Sequence, residues 1–212
     1  MQKKKIIFVI VFILLTMLSL FINEVYIINS IENKLIENLN SRNYYMKINY
    51  HQGVINDNTY TEYLICNDYK MINNESDTII EYSLDEIYFI NKEEKVYVKA
   101  DEDITAFDDD NFYNISNYYF KHITDNERSL LGQILIALKA KIIEIEYDGT
   151  ECYSIDYKDI TVYVDKKSLL LISKIDYNYG TGEDYEIKVN SIDSNDFSKE
   201  ALLKDYKNIT EN

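Results

Sequence analysis

The residues able to do chemistry in this chain are few. It holds two His, His51 and His122, two Cys, Cys66 and Cys152, and 37 Asp and Glu among its 212 residues. Nucleophilic catalysis needs a base poised beside a nucleophile. Neither His lies in a Gly-x-Ser-x-Gly, His-Glu-x-x-His or Cys-x-x-Cys setting, and no Gly-rich phosphate loop occurs. Paired carboxylates carry no information where acids are this frequent. The acidic run Asp101, Glu102, Asp103, Asp108, Asp109, Asp110 offers hard oxygens suited to Ca²⁺. Counted from Asp101, however, the positions that a calcium loop reserves for Gly and Glu hold Ala106 and Phe112. The run reads as a solvated loop, and the expectation is no metal, no cofactor and no enzyme. The patterns at Asn74, Asn114 and Asn208 match N-glycosylation acceptors, which an Asn-rich chain also produces by chance. Cys66 and Cys152 leave two readings open: a bridge worth about 2 to 5 kcal/mol if the domain lies outside the cytoplasm, or two buried thiols.

Composition narrows the partners. The net charge is −15, so phosphate backbones repel the chain and nucleic acid is excluded as a partner. Apolar residues at 46 % suffice for a core. The 21 Tyr, with no Pro and no Trp, favour strands, because Tyr has an apolar body and a polar tip.

Much of the apolar content is local. Lys3, Lys4 and Lys5 precede Ile6 to Ile22, an uncharged run at the short end of what crosses a bilayer. No small-residue cleavage pattern closes the run and no Cys follows it, which favours an uncleaved anchor over a signal peptide and excludes lipid attachment. Residues 1–5 are then cytoplasmic, 6–22 cross the membrane, and the rest is extracytoplasmic. Setting the three lysines aside moves the net charge from −15 to −18. The alternative is a cleaved signal and a secreted protein.

The positioning elements follow from periodicity. Ile28, Ile31, Leu35 and Leu39 recur at helical spacing and predict a juxtamembrane amphipathic helix over 23–42. Period two then takes over in Tyr44, Met46, Ile48 and Tyr50. It continues through Thr59 to Met71, with Tyr63, Ile65, Tyr69 and Met71 on one side, and through shorter strands near 78–82, 87–90 and 95–100. Thr124 and Glu127 form a capping box ahead of Leu131, Ile134, Leu135, Leu138 and Ile142, which predicts a central helix. Asp148-Gly149 between two alternating runs predicts a type I′ hairpin. Further strands follow at 160–165, 169–178 and 184–191, and Phe197, Leu202 and Leu203 pack back at the end. The expected fold class is α+β, mostly β: one extracytoplasmic domain over 43–206 and a tail at 207–212. Its strongly curved antiparallel sheet or unclosed barrel, of about ten strands, wraps the central helix behind an N-terminal transmembrane helix.

The run Cys152-Tyr153-Ser154-Ile155, then Ile160 to Asp165, the turn Lys166-Lys167-Ser168, Leu169 to Tyr177 and the tail Asp196-Phe197-Ser198 resemble the LolA-like superfamily of lipoprotein-carrier and lipid-binding half-barrels, many of them from Gram-positive bacteria. The likeness covers roughly 30–206. It implies an inner apolar face able to hold an acyl chain or another hydrophobic ligand. On that reading the cavity is lined by Tyr44, Met46, Ile48, Tyr63, Ile65, Leu131, Ile134, Leu135, Leu138, Tyr153, Ile155, Leu171 and Ile175. The partners are then the membrane, through the N-terminal helix, and a lipid-like ligand. The alternative is a protein-interaction or envelope-sensing module with a filled core.

Overall fold

The computed structural model describes residues 2–40, 42–52, 59–67, 69–82, 86–100 and 130–210. The acidic run, His122 and the Thr124/Glu127 capping box lie outside the described residues, as does the side chain of Leu131.

A single helix, α1 (Gln2–Asn40), joins the two helical segments that the sequence separates. No Pro or Gly interrupts it, and its 39 residues extend about 58 Å. Thr16 and Ser30 satisfy their hydroxyls internally, donating to the carbonyls of Phe12 and Tyr26. The first half is exposed on every side, with Phe8, Leu14 and Met17 at 71 %, 59 % and 65 % exposure. That all-round apolar surface makes Lys5–Lys34 long and apolar enough to cross a membrane. The second half is core, with Ile27, Ile28 and Ile31 buried.

Twelve strands form one sheet: β1 (Asn43–Gln52), β2 (Tyr60–Cys66), β3 (Tyr69–Asn74), β4 (Asp77–Tyr82), β5 (Glu86–Asn91), β6 (Val96–Lys99), β7 (Lys141–Tyr147), β8 (Thr150–Tyr157), β9 (Ile160–Asp165), β10 (Leu171–Asp176), β11 (Thr181–Val189) and β12 (Lys207–Asn208). Their order is β12-β6-β5-β4-β3-β2-β1-β11-β10-β9-β8-β7, so two meanders meet where β1 pairs β11. β12 and β7 end the sheet without pairing to each other, and the sheet is curved but unclosed. Every pairing is antiparallel except β12 with β6. The count exceeds about ten because 59–71 is two strands and because the expected tail supplies β12. Asn67, at φ 57, takes the left-handed conformation that Asn tolerates and turns the chain between β2 and β3. Tyr69 and Met71 therefore lie opposite Cys66 and Leu64, on the other face from Tyr63 and Ile65.

α2 (Leu130–Lys139) lies against α1, and together they cover the inner face of the second meander. There Ile27, Ile28 and Ile31 of α1 and Ile136 and Ala137 of α2 meet Ile155, Tyr157, Val162, Val164 and Leu171. Burying about five large aliphatic side chains of this kind contributes on the order of 10 kcal/mol gross. The outer face of the first meander is covered instead by the C-terminal segment. A 3₁₀ turn (Ser194–Phe197), capped by Asp193, and helix α3 (Lys199–Leu203) bring Phe197, Leu202 and Leu203 onto Cys66, Met71, Ile80, Tyr88 and Ile90. Phe197 stacks on Tyr69 at 5.6 Å. Asp148 and Gly149, at φ 47 and 75, make the expected type I′ turn between β7 and β8.

Candidate recess on the inner sheet face

The register assigns each strand residue to a face. Tyr44, Met46 and Ile48 pair with Ile65, Tyr63 and Thr61 on one side and with Val189, Ile187 and Tyr185 on the other, so all lie on the inner face. Tyr153, Ile155 and Leu171 share it through their pairing with Val164 and Val162. These eight expected lining residues are brought to one face, but as packing: Met46 and Ile155 are fully buried, and Tyr44, Ile48 and Leu171 are nearly so.

Two other expectations are corrected, and of the two readings for the cysteines the buried thiols hold. Ile175 lies on the outer face, opposite Thr161 and Gly182, because the pairing shifts between Leu171 and Ser173 and reverses the alternation along β10. Among the described side chains of α2, those turned inward are Ile136 and Ala137, while Leu135 and Leu138 are 53 % and 63 % exposed and Ile134 is half-buried. That helix, Leu-Leu-Gly-Gln-Ile-Leu-Ile-Ala-Leu-Lys, is apolar nearly all round, so apolar spacing does not fix its phase. Cys66 and Cys152 are free. β1, β11, β10 and β9 stand between their strands, a path of about 24 Å at the usual strand spacing, against a reach of about 7 Å for a bridge. Burial pushes both thiols above their ordinary range, and Asp193 and Asp196 add to the effect at Cys66.

Polar groups interrupt this packed part of the inner face. Lys174, 5 % exposed, pairs with Glu183 at 3.7 Å, and Glu183 also accepts from the hydroxyl of Tyr185. Burial, the neighbouring Tyr50 hydroxyl and the Glu183 charge push Tyr63 up to about 12. The cluster is a largely buried ion pair, a kind of contact whose desolvation cost offsets much of its attraction. On the outer face His51 Nε2 lies 2.6 Å from Asp184 Oδ2, both half-exposed. No metal-holding group of His, Cys, Asp and Glu occurs among the described residues.

Open space lies elsewhere, on the inner face of the first meander. β4 to β5 to β6 registers Ile79 with Phe89 and Phe89 with Val98. The parallel β12 sets Lys207 beside Val96 and Asn208 beside Tyr97, which carries Ile209 alongside Val98. The Ile209 amide donates to the Tyr97 carbonyl at 3.1 Å, and the Lys99 amide donates to Thr210 Oγ1 at 2.7 Å. Ile79, Phe89, Val98 and Ile209 thus form an apolar row across four strands, flooring a cavity of about 420 Å³. That volume lies within the usual range for small-ligand sites, about 300 to 1,000 Å³.

Two tight turns make its mouth. Asn74 Oδ1 accepts from the amides of Ser76 and Asp77, at 3.0 and 2.7 Å, and Asn91 Oδ1 accepts from the amide of Glu94 at 2.7 Å. These side-chain turns hold Asp77 and Glu94 at the rim of the cavity.

None of the expected lining residues belongs to this recess. A signal for it was present, since Ile79-Ile80, Ile87-Tyr88-Phe89-Ile90 and Val96-Tyr97-Val98 are apolar on both faces rather than on alternate residues. Strands of that kind have something to bury or to line on each side.

No protein-family model matches the sequence, and no curated protein matches it. Among solved structures, the chain is similar to an uncharacterized conserved protein from Thermus thermophilus, at 10 % identity and TM-score 0.42, over 85 % of this chain and 96 % of that one. It is similar to MucB, solved in complex with MucA(peri), at 9 % identity and TM-score 0.39, over 79 % of this chain and 57 % of that one. A third is a DUF1329 family protein from Desulfovibrio piger, at 12 % identity and TM-score 0.28, over 84 % and 99 %. They give no support to a Gram-positive source. At scores this low the likenesses carry no argument about function, and the reading of the chain rests on its own sheet, helix and recess.

Proposed function

We propose that this chain is a membrane-tethered, extracytoplasmic, non-enzymatic binding domain that holds a hydrophobic ligand, of the acyl-chain kind, on its inner sheet face. The observation that carries the reading is the recess of about 420 Å³ floored by Ile79, Phe89, Val98 and Ile209. The long apolar helix ahead of the sheet, with Lys3 to Lys5 at its start, supports a single pass with the N-terminus inside the cell. The inner-face ligand implied by the LolA-like resemblance is of the same kind, though the site moves from the packed face of β1, β2 and the second meander to the β4–β6 end of the sheet. The test uses the full chain in lipid nanodiscs and the environment-sensitive probe N-phenyl-1-naphthylamine. Saturable fluorescence gain above empty discs, abolished when Ile79→Trp fills the floor, is expected. No gain over empty discs, or a gain that Ile79→Trp leaves intact, refutes the site.

A second reading, a protein-interaction or envelope-sensing module, is favoured by the filled inner face at Met46, Ile155 and Leu171. Its acidic surface would take a basic partner. Probe-silent protein that binds a basic partner in a salt-sensitive manner would support it.

A further inference from the structure

Resting on the hydrophobic-ligand reading, we infer that the recess selects a cationic amphiphile: an apolar body on the Ile79–Phe89–Val98–Ile209 floor and a protonated amine at the mouth, between Asp77 and Glu94. Among the described residues lining the cavity, these two carboxylates are the only charged groups. The Asp77 carboxylate accepts one hydrogen bond, from Ser76 Oγ at 2.7 Å, which leaves most of its acceptor capacity open. Glu94 is exposed, and the bond that holds its turn is made by its backbone amide.

The nearby cations offset only part of the charge at the mouth. Lys92, next in the chain to Asn91, donates to Asn73 Oδ1 at 2.6 Å and to the Asn74 carbonyl. Asn73 lies opposite Glu62 and Thr78, on the outer face, so the ammonium spends its hydrogen bonds away from the Asp77 carboxylate, while staying within electrostatic reach of Asp77, Glu62 and Glu75. Lys95 and Lys207 are exposed and do not line the cavity.

A fatty acid seated with its head at this mouth would bring a third negative charge against two, inside a chain of net charge −15. An alkyl or arylalkyl ammonium meets opposite charge on both sides and keeps its apolar body out of water. Neutral amphiphiles gain only the apolar part.

The test titrates the full chain in zwitterionic nanodiscs with three isosteres, 4-phenylbutylamine, 4-phenylbutanol and 4-phenylbutanoate, by calorimetry against empty discs. The expected order of affinity is amine, alcohol, carboxylate. Asp77→Asn and Glu94→Gln each weaken the amine by about threefold and together by about tenfold, leaving the alcohol unchanged, as expected for half-exposed ion pairs. Either conservative variant alone gives the readout if the other misfolds. Equal affinity for all three, or an amine preference that survives in the double variant, overturns the charge selection while the hydrophobic site stands. Binding of none of the three overturns both.

Discussion

Replacing Ile28 by Ala tests whether the long apolar helix α1 is also part of the domain core. Ile28 is fully buried where α1 and α2 meet β8, β9 and β10. The change removes three carbon atoms from a site walled by strands that cannot close over the gap. Large-to-small replacements at such sites cost about 2 to 5 kcal/mol, and a wall this rigid favours about 3 to 4. Ile13, on the same helix, is 50 % exposed, so Ile13→Ala should alter domain stability by less than about 0.5 kcal/mol. The assay is urea unfolding of the full chain in nanodiscs, followed by near-ultraviolet circular dichroism of its Tyr residues and by pulse proteolysis. With a slope of about 2 kcal/mol per molar urea, Ile28→Ala lowers the midpoint by about 1.5 to 2 M and Ile13→Ala leaves it in place. Equal midpoints for the two variants would refute the view that α1 is an integral element of the sheet domain.

Other outcomes follow from the same packing. With both thiols buried and pushed up, N-ethylmaleimide should add nothing to the native protein by mass spectrometry and label both Cys after unfolding without reductant; a requirement for reductant would restore the disulfide. Tyr63 is raised from 10.0 to about 12, so its contribution is complete below pH 10 and is lost as pH climbs from 10 to about 12, where the unfolded chain releases the proton first. Discounted for partial exposure, the loss is about 1 to 2 kcal/mol, and Tyr63→Phe should flatten that part of an alkaline stability profile. Phe197→Ala empties the hub of the outer-face cluster and should cost about 3 to 5 kcal/mol in the same urea assay. Gly149→Ala, at φ +75 with nothing within 4 Å, should cost only the roughly 1 kcal/mol of a left-handed alanine.

Local pattern made some of this architecture legible. Alternation at Tyr44, Met46 and Ile48 identified an inner face, Asp148-Gly149 identified a hairpin, and the uncharged run from Ile6 identified a long apolar N-terminal helix. Features that depend on distant partners were not legible. α2 is apolar on nearly every side, so only its contact with α1 and the sheet selects Ile136 and Ala137. The register shift after Leu171 carries Ile175 to the outer face with no Gly or Pro to announce it. The two-faced apolar strands at 79–80, 87–90 and 96–98 hint at the recess, but its floor is completed by Ile209, and nothing local to the C-terminal segment says that it joins β6 as a parallel strand.

That arrangement also governs timing. β1 can zip onto β2 as soon as both have emerged, but its other edge waits for β11, and the outer edge of β6 waits for β12, more than 100 residues further along the chain. Loop closure over such separations is slow compared with hairpin formation. The chain therefore completes the middle of its sheet late and the edge of its first meander later still. Until then the apolar side chains at that end of the meander, Ile79, Phe89 and Val98 among them, lack the strand that completes their face.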